Sequence, residues 1–355
     1  MARKRHFFQK ILALLAGAAL LAGPLGAAAA EEAPEEAPAL AIYTTGGMAG
    51  RTWRQDPLTG QTVEQGWQNA AAALAAERAA GTQTLVLDSG DAVGAGPLQD
   101  GGAAVAAALR SMGCDALVPG LNEFRLGPEA REDFFAALTG AEGAGTPVRV
   151  LSGSYLDADS QEPVEEAFAV FQLELEGAPL RVAVLGLGPL DAADHLPDGW
   201  AEGVRFAHGD NEENSPIWEW THYWQPRVEA EHCDLVVVVY GAGSGAADFA
   251  AGTAGIDLVV GGGEARAETL RNAAGESVTL VSGGGAELTR TVITRDGDGG
   301  AKVGESTLLS LADYEPDDSL DRLLAPLREE AAAGAAETVG VLTGDWAGQG
   351  DPLCV

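Results

Sequence analysis

The stretch TLVLDSGDAVGAGPL, residues 84–98, contains a short apolar run that breaks into a glycine-rich loop. Residues 85–87 have the composition of a buried strand, and Ser89, Gly90 and Asp91 begin the loop. Ligands of open α/β sheets bind just beyond the carboxyl ends of the strands. Asp91 is therefore the first candidate for a functional side chain.

Similar units recur along the chain, and helical patterns separate several of them, which predicts an α/β fold. The later strands follow one another with little helix between them, so we expect mixed rather than purely parallel sheets. Strands are predicted to begin at residues 40, 115, 148, 168, 180, 234, 256, 277 and 289, and helices at 69–80, 105–112, 217–231 and 317–333. The strands at 168 and 180 are expected to form a hairpin around Gly177.

The first 30 residues have the layout of a secretory signal peptide. Arg3, Lys4, Arg5 and Lys10 precede an apolar run, and small residues follow at 27–30. A membrane anchor is the alternative, although the run is short and is interrupted by glycine and proline. We therefore predict an exported protein, extracellular or in the cell envelope, that leaves the membrane after cleavage. An acidic, proline-bearing linker, EEAPEEAP, follows at 31–38.

The net charge of −32 becomes about −36 if this segment and its four positive charges are removed. Such an acidic chain is a poor partner for nucleic acid polymers and for anionic membranes. The three cysteines, Cys114, Cys233 and Cys354, form no Cys-x-x-Cys pair. Neither a disulfide framework nor a cysteine metal site is expected.

The order of the motifs resembles the exported 5'-nucleotidase and cyclic-nucleotide phosphodiesterase group of the calcineurin-like metallophosphoesterases, over roughly residues 40–338. In that family, five strand-end loops of the types T-N-D-x-H-G, D-x-G-D, G-N-H-E-F-D, S-H-x-G and G-H-x-H hold two divalent metals. Here the corresponding segments are TTGGMAG, DSGD, GLNEFRLG, VVYGAG and GGGEA. The resemblance implies a four-layer α-β-β-α sandwich of two mixed sheets flanked by helices.

The ligands that the resemblance implies are mostly absent. Asp91 stands at the position of the carboxylate that bridges both metals, and Glu123 is also retained. Asn122 replaces the catalytic His, and Arg125 replaces the Asp that orients it. The remaining ligand positions carry Gly47, Ala49, Leu121, Gly241, Gly263 and Ala265. One carboxylate cannot hold two divalent ions, so no metal or other cofactor is predicted.

The surviving features allow structural interpretations. Asp91 is catalytic or caps backbone amides in a tight turn. The glycines near Gly46, Gly241, Gly261 and Gly283 form anion-binding nests or satisfy turns. Because a buried carboxylate needs compensation, we expect an arginine in the former metal site or an amide-capped turn in its place. The candidate arginines are Arg51, Arg125 and Arg266.

Two other groups of residues raise the question of a site. His195, His208, His222 and His232 fall outside the glycine-rich strand ends and are not expected to bind metal. The tract WEWTHYW, residues 218–224, places Trp220 and Trp224 on one helical face, which is typical of core packing. An exposed patch for a protein or a glycan is the alternative.

The predicted organisation is a signal peptide at 1–30, the linker at 31–38, a phosphoesterase domain at 39–312, a linker helix at 313–338 and a stub at 339–355 of a missing C-terminal domain. Two functions compete. The first is an exported pseudo-enzyme that serves as a scaffold or binds an extracellular partner of unknown identity. The second is an active nucleotide or phosphate-ester hydrolase that uses two divalent metals and ligands not recognised in the sequence.

Overall fold

The computed structural model describes residues 39–52, 62, 65–94, 102–141, 143–208, 215–241 and 245–335, and only the backbone of residues 334 and 335. The strands are β1 (Leu40–Thr45), β2 (Gln83–Asp88), β3 (Ala116–Leu117), β4 (Arg149–Val150), β5 (Leu156–Asp157), β6 (Phe168–Leu175), β7 (Ala178–Leu187), β8 (Val204–Arg205), β9 (Leu235–Tyr240), β10 (Leu258–Gly261), β11 (Arg266–Arg271), β12 (Ser277–Ser282), β13 (Glu287–Arg295) and β14 (Ala301–Ser310). The α-helices are α1 (Trp67–Ala79), α2 (Ala103–Ser111), α3 (Leu121–Phe124), α4 (Pro128–Thr139), α5 (Pro216–Glu219), α6 (Gln225–Glu229), α7 (Ala246–Gly252) and α8 (Asp318–Ala335). A π-helix, Trp220–Trp224, joins α5 to α6, and 3₁₀ turns lie at Ala192–His195 and Leu311–Asp313.

Two six-stranded sheets form the centre of the fold. Their strand orders are β14-β13-β1-β2-β3-β4 and β11-β12-β10-β9-β7-β6. In each sheet four strands run parallel, and antiparallel strands complete the sheet. The predicted mixed sheets are therefore confirmed, as is the hairpin of β6 and β7 around Gly177.

The alternation of side chains along the strands builds four layers. In β1, Leu40 and Ile42 enter the core between the sheets, whereas Ala41 and Tyr43 face helices α1, α2, α4 and α8. In β9, Val237 faces the core between the sheets, and Val238 packs with α7 and the π-helix that carries Trp220 and Trp224. Because both faces of each sheet are covered near its centre, the central strands, such as β1 and β9, are apolar on both sides. The expected four-layer α-β-β-α sandwich is confirmed.

The third motif differs locally from the expected strand and loop. Its strand, β3, has only two residues, and α3 and α4 follow it. The helix α3 begins after Gly120, and the carboxylate of Glu123 at its third position accepts the Gly120 N–H. This is the N3-carboxylate half of a capping box, because Gly120 has no side chain to return the hydrogen bond, and Pro128 at the first position of α4 is a second start signal. Both signals are present in the sequence.

A small β-structure lies beside α3. Strands β5 and β8 pair in an antiparallel two-stranded sheet. The rings of Phe124 and Tyr155 lie 5.1 Å apart, and Phe206 meets Phe124 edge-on at 4.9 Å. The guanidinium of Arg131 is buried over the Phe124 and Tyr155 rings. This aromatic cluster attaches segments around β5 and β8 to the third motif.

The predicted helix near the C-terminus is present as α8, and it packs against the rest of the domain. Leu320 and Leu324 are buried in the core that α1 and α2 share with the first sheet. Within the described residues no helix has the length and apolarity needed to span a membrane. The predicted signal peptide and acidic linker lie outside the described residues, as does the predicted stub at 339–355.

Candidate functional site: a carboxylate enclosed by backbone amides

The second and third motifs meet at the carboxyl ends of β2 and β3 through their glycines. A Cβ on Gly90 would lie 2.3 Å from the Gly120 nitrogen, and a Cβ on Gly120 would lie 2.7 Å from the Asp91 nitrogen. Gly90 also has a φ of +87°, which favours glycine. The two loops can approach this closely only because both positions lack a side chain.

The carboxylate of Glu123 is the centre of this contact. Its Oε2 accepts the N–H groups of Asp91 at 2.9 Å and Gly120 at 2.8 Å. Its Oε1 accepts those of Ala92 at 2.9 Å and Val93 at 3.0 Å. Glu123 is completely buried. An amide nest is therefore present, and a carboxylate of the chain itself occupies it.

Asp91 is held in the same loop. Its φ is +51°, and its Oδ1 accepts the Asn122 N–H at 2.9 Å. The Asn122 side chain donates to the Val93 carbonyl at 3.2 Å. Asn122, which stands at the family's catalytic His position, thus ties the third motif to the second.

Asp88 is a site residue that the sequence reasoning did not identify. It is completely buried at the end of β2 and accepts the Thr45 hydroxyl at 2.6 Å and the Gly90 N–H at 2.8 Å. Thr45 ends β1, so this bond joins the first two strand ends. The spacing D-x-G-D, in which the first Asp caps the turn before the second, was the available signal.

Burial changes the protonation of both enclosed carboxyls. Burial, followed by the nearby Asp91 charge, raises the pKa of Glu123 to about 7, although its amide bonds oppose the shift. Burial also raises the pKa of Asp88 to about 6, against its bonds to Thr45 and Gly90. Desolvation favours the neutral form of a carboxyl, which is the physical cause of both shifts.

The first motif closes onto the second through its backbone. The N–H groups of Gly47, Ala49 and Gly50 donate to the carbonyls of Gly90, Asp91 and Ala92 at 2.9, 2.9 and 2.8 Å. Gly47 and Ala49 both have left-handed φ values, +62° and +47°. The positions that carry metal-binding side chains in the family here form a short backbone ladder.

The fourth and fifth motifs reach the same end of the sheets. A Cβ on Gly241 would lie 3.1 Å from the Pro119 carbonyl and 3.3 Å from that of Ser89. Ala265 lies against Gly284, and the Gly285 N–H donates to the Gly46 carbonyl. Gly263 has a φ of +93°. The loops therefore converge, and close backbone approach accounts for the glycine at 241.

The predicted arginine pair is not formed. Arg51 donates to the Gly285 carbonyl at 2.9 Å, and Arg266 pairs with Glu268 at 3.7 Å. Arg125 is exposed. Within the described residues no arginine forms an ion pair with Asp91 or Glu123. The physical reason is that four N–H donors already satisfy Glu123, so the arrangement is the alternative, an amide-capped turn.

These residues do not fit two divalent metal ions. Each Glu123 oxygen already accepts two N–H groups, and Leu121 and the small residues at the other positions supply no side-chain ligand atoms. Across the part of the chain that the structure describes, no group of three or more His, Cys, Asp or Glu side chains is arranged to hold a metal.

The tryptophan tract is mostly core, as expected from its spacing. Trp220 and Trp224 are buried against the second sheet, while Trp218 and Tyr223 are half-buried. Trp218 stacks on His222 with ring centroids 4.8 Å apart.

A buried pair next to this tract was not expected. His208 Nδ1 lies 2.6 Å from Glu219 Oε2, and the His208 backbone N–H donates to Glu219 Oε1 at 2.6 Å. Glu219 is completely buried and His208 is 5% exposed. The imidazole also stacks on Tyr223 at 3.8 Å. No local spacing in the sequence signals this pair, since the partners lie eleven residues apart in the chain. His195 instead pairs with Asp191 at the surface.

Solved structures with the same fold include YfkN, a calcineurin-like phosphoesterase from Bacillus subtilis, with a TM-score of 0.68 and 16% identity over 84% of this chain and 99% of that one. The NAD nucleotidase NadN of Haemophilus influenzae has a TM-score of 0.67 and 17% identity over 86% of this chain and 62% of its own. For a 5'-nucleotidase precursor from Thermus thermophilus, the TM-score is 0.64 and the identity is 20%, over 83% of this chain and 59% of that one. This chain thus spans about three fifths of those two nucleotidases. No family model matches the sequence, and neither does any curated protein. The chain has the fold of the calcineurin-like phosphoesterases and 5'-nucleotidases.

Proposed function

We propose that this chain is an exported, catalytically inactive protein on the metallophosphoesterase fold, which acts by binding a partner. The observation that carries the proposal is the use of Glu123 and Asp91 as acceptors of backbone N–H groups. A carboxylate whose oxygens accept backbone N–H groups has a structural role in the loop. The partner is proposed to be extracellular.

The charge requirement of the family reaction supports the same conclusion. Two bound cations stabilise the attacking and leaving oxygens in two-metal phosphoester hydrolysis. That chemistry needs several carboxylate, imidazole and amide ligands, and here the corresponding loops are joined by backbone bonds between 47–50 and 90–92. Asn122 cannot serve as an imidazole acid or base, because a carboxamide does not titrate in this range.

The competing proposal is a working hydrolase. It draws on the fold alone, since the neighbours include proteins described as an NAD nucleotidase and a 5'-nucleotidase. An assay with an aryl phosphate monoester, an aryl phosphate diester and AMP, each with Mg²⁺, Mn²⁺ or Zn²⁺, separates the two. We expect no turnover above the buffer rate. Turnover that a chelator abolishes, and that Asp91→Asn also abolishes, would establish the hydrolase instead.

Export is tested separately. The full chain is expressed with its first 30 residues in a secreting host, and the mass of the extracytoplasmic product is measured. We expect loss of the N-terminal apolar segment near residue 30. A product that keeps residues 1–30 and stays with the membrane would indicate an anchor.

A further inference from the structure

A groove lies at the end of the third motif, where α4 begins. It has a volume of about 330 Å³ and is lined by Leu126, Gly127, Pro128, Glu129, Ala130, Asp133 and Trp200. It is separate from the enclosed Glu123 carboxylate, which is completely buried. Its volume is at the lower end of the range for small-molecule pockets, which suits a single side chain or a small ligand.

The aromatic wall of this groove is set by a glycine. Gly127 has a φ of +86°, and the Trp200 ring atoms lie 3.3–3.5 Å from where a Cβ on it would stand. The absence of a side chain at Gly127 therefore lets the six-membered ring of Trp200 approach the backbone. Trp200 remains partly accessible, so its indole is available at the groove.

The charged residues that line the groove are both acidic. Glu129 and Asp133 are four residues apart in α4, which places both carboxylates on one face of the helix. Both are exposed, and neither belongs to an ion pair among the described residues. None of the seven lining residues is cationic. The whole chain also carries a net charge of −32.

We infer that this groove receives the cationic side chain of a lysine or arginine presented by a partner polypeptide. An indole face attracts a cation through its ring quadrupole, and two carboxylates one turn apart supply opposite charge and hydrogen-bond acceptors. An anionic partner would be repelled by both carboxylates, and a purely apolar partner would remove them from water without donating a hydrogen bond. The inference rests on the proposed binding role and names the chemistry of its partner.

The probe is an arginine-centred tripeptide, Gly-Arg-Gly, with both termini blocked, and its matched ligand carries citrulline, the neutral isostere. Titration calorimetry at low salt measures both. We expect the wild-type chain to bind the arginine peptide at least about fivefold more tightly, with the difference shrinking in high salt. Trp200→Leu and the double variant Glu129→Gln/Asp133→Asn should each abolish the preference.

Matched controls separate binding from folding. Trp218→Leu and Glu166→Gln change a tryptophan and an exposed glutamate elsewhere, and both should keep the preference. Unfolding midpoints check every variant, and Trp200→Phe, which retains an aromatic face over Gly127, should keep part of the binding. Equal binding of the two peptides, no saturation up to about 10 mM, or an unchanged preference in the Trp200 and double variants would overturn the inference. If the protein shows no preference for the arginine peptide but also binds no metal and hydrolyses no phosphate ester, the groove inference is wrong and the proposed loss of catalysis stands.

Discussion

Single residues decide whether the loop around Asp91 is a reaction centre or a turn. Glu123 meets four fixed backbone N–H groups, two on each oxygen, so its site is shaped for an acceptor at both atoms. Asp88 meets one N–H and one hydroxyl, and the Thr45 hydroxyl can rotate to become an acceptor. The same amide substitution should therefore have opposite effects at the two positions.

Glu123→Gln should destabilise the protein by about 2–4 kcal/mol. The new NH₂ group must face two N–H donors that cannot turn away, which leaves buried donors unsatisfied. Urea unfolding at neutral pH measures the change. Glu166→Gln, at an exposed ion pair with Arg149, is the control and should stay within about 0.5 kcal/mol. An unfolding free energy for Glu123→Gln as close to wild type as the control would contradict the amide-nest account.

Asp88→Asn should raise stability at pH 8 and flatten the pH dependence. The folded state keeps the Asp88 proton up to about pH 6, whereas the unfolded chain loses it near 3.8. This contribution to stability is therefore fully present below about pH 4 and is lost as the pH rises through about 6. A shift of about two units corresponds to about 3 kcal/mol.

Urea unfolding of wild type and Asp88→Asn at several pH values between 4 and 8 measures the Asp88 contribution to the unfolding free energy. Comparing the two proteins cancels the pH dependence that all the other charged groups share. The two curves should differ mainly between about pH 4 and 6. Parallel curves across that window, or an Asn variant clearly weaker at pH 8, would show that Asp88 is not held in this way.

At the scale of elements, the helical segment from α5 to α6 contains a π-helical stretch, Trp220–Trp224. Pro226, the second residue of α6, has no N–H to donate to the carbonyl four residues earlier, which is a cause of a widened turn. The helix also carries Tyr223, which stacks on His208. The pair His208–Glu219 thus fastens the segment after β8 to the helix over the second sheet.

His208→Ala should lower the unfolding free energy by about 3–5 kcal/mol, because it removes the imidazole partner of the buried Glu219 Oε2 and leaves only the backbone N–H of residue 208 on Oε1. The double variant His208→Phe/Glu219→Leu should recover part of the loss, since it removes both polar groups. His195→Ala, at the exposed pair with Asp191, is the matched control and should change little. In the double-mutant cycle of His208→Phe, Glu219→Leu and their combination, additive losses would refute a direct coupling.

The sequence predicted elements unequally, for physical reasons. Long apolar strands such as β7 and β9, and the amphipathic α8, carry strong periodic patterns that local sequence sets. Strand β11 is mostly polar and exposed, and β14 has polar residues at half of its positions and no buried residue, so both depend on their neighbours in the sheet and were not predicted. The helix α3 was missed because it has only four residues and its N-cap is Gly120, so the sequence carries only the Glu at the third position of a capping box.

For the whole molecule, the layered fold followed from motif order, whereas the chemistry of the site did not. The convergence of the five loops was expected from the resemblance. The Glu123 nest and the Asp88 bond to Thr45 could not be derived, because each joins residues from different strands, as with Asp88 and Thr45, 43 residues apart. The arginine pair and the amide-capped turn were the two alternatives for a buried carboxylate, and four backbone N–H groups proved sufficient for Glu123.

The fold therefore persists without the side chains that bind metal in the resembled family. Backbone bonds between 47–50 and 90–92 and the Glu123 nest hold the strand ends together. If no bound ion contributes free energy to the folded state, as proposed, chelation should leave the unfolding midpoint unchanged. Thermal unfolding with and without a chelator measures this, and a midpoint that falls by several degrees would indicate a bound structural ion.

The central claim is that the site formed by the five motifs holds no metal, and elemental analysis of the purified protein tests it most directly. The protein is first exposed to Mn²⁺ and Zn²⁺, and loosely bound ions are then removed by gel filtration. The account predicts far less than one metal ion per chain. A content near two ions per chain that falls in Asp91→Asn would contradict it.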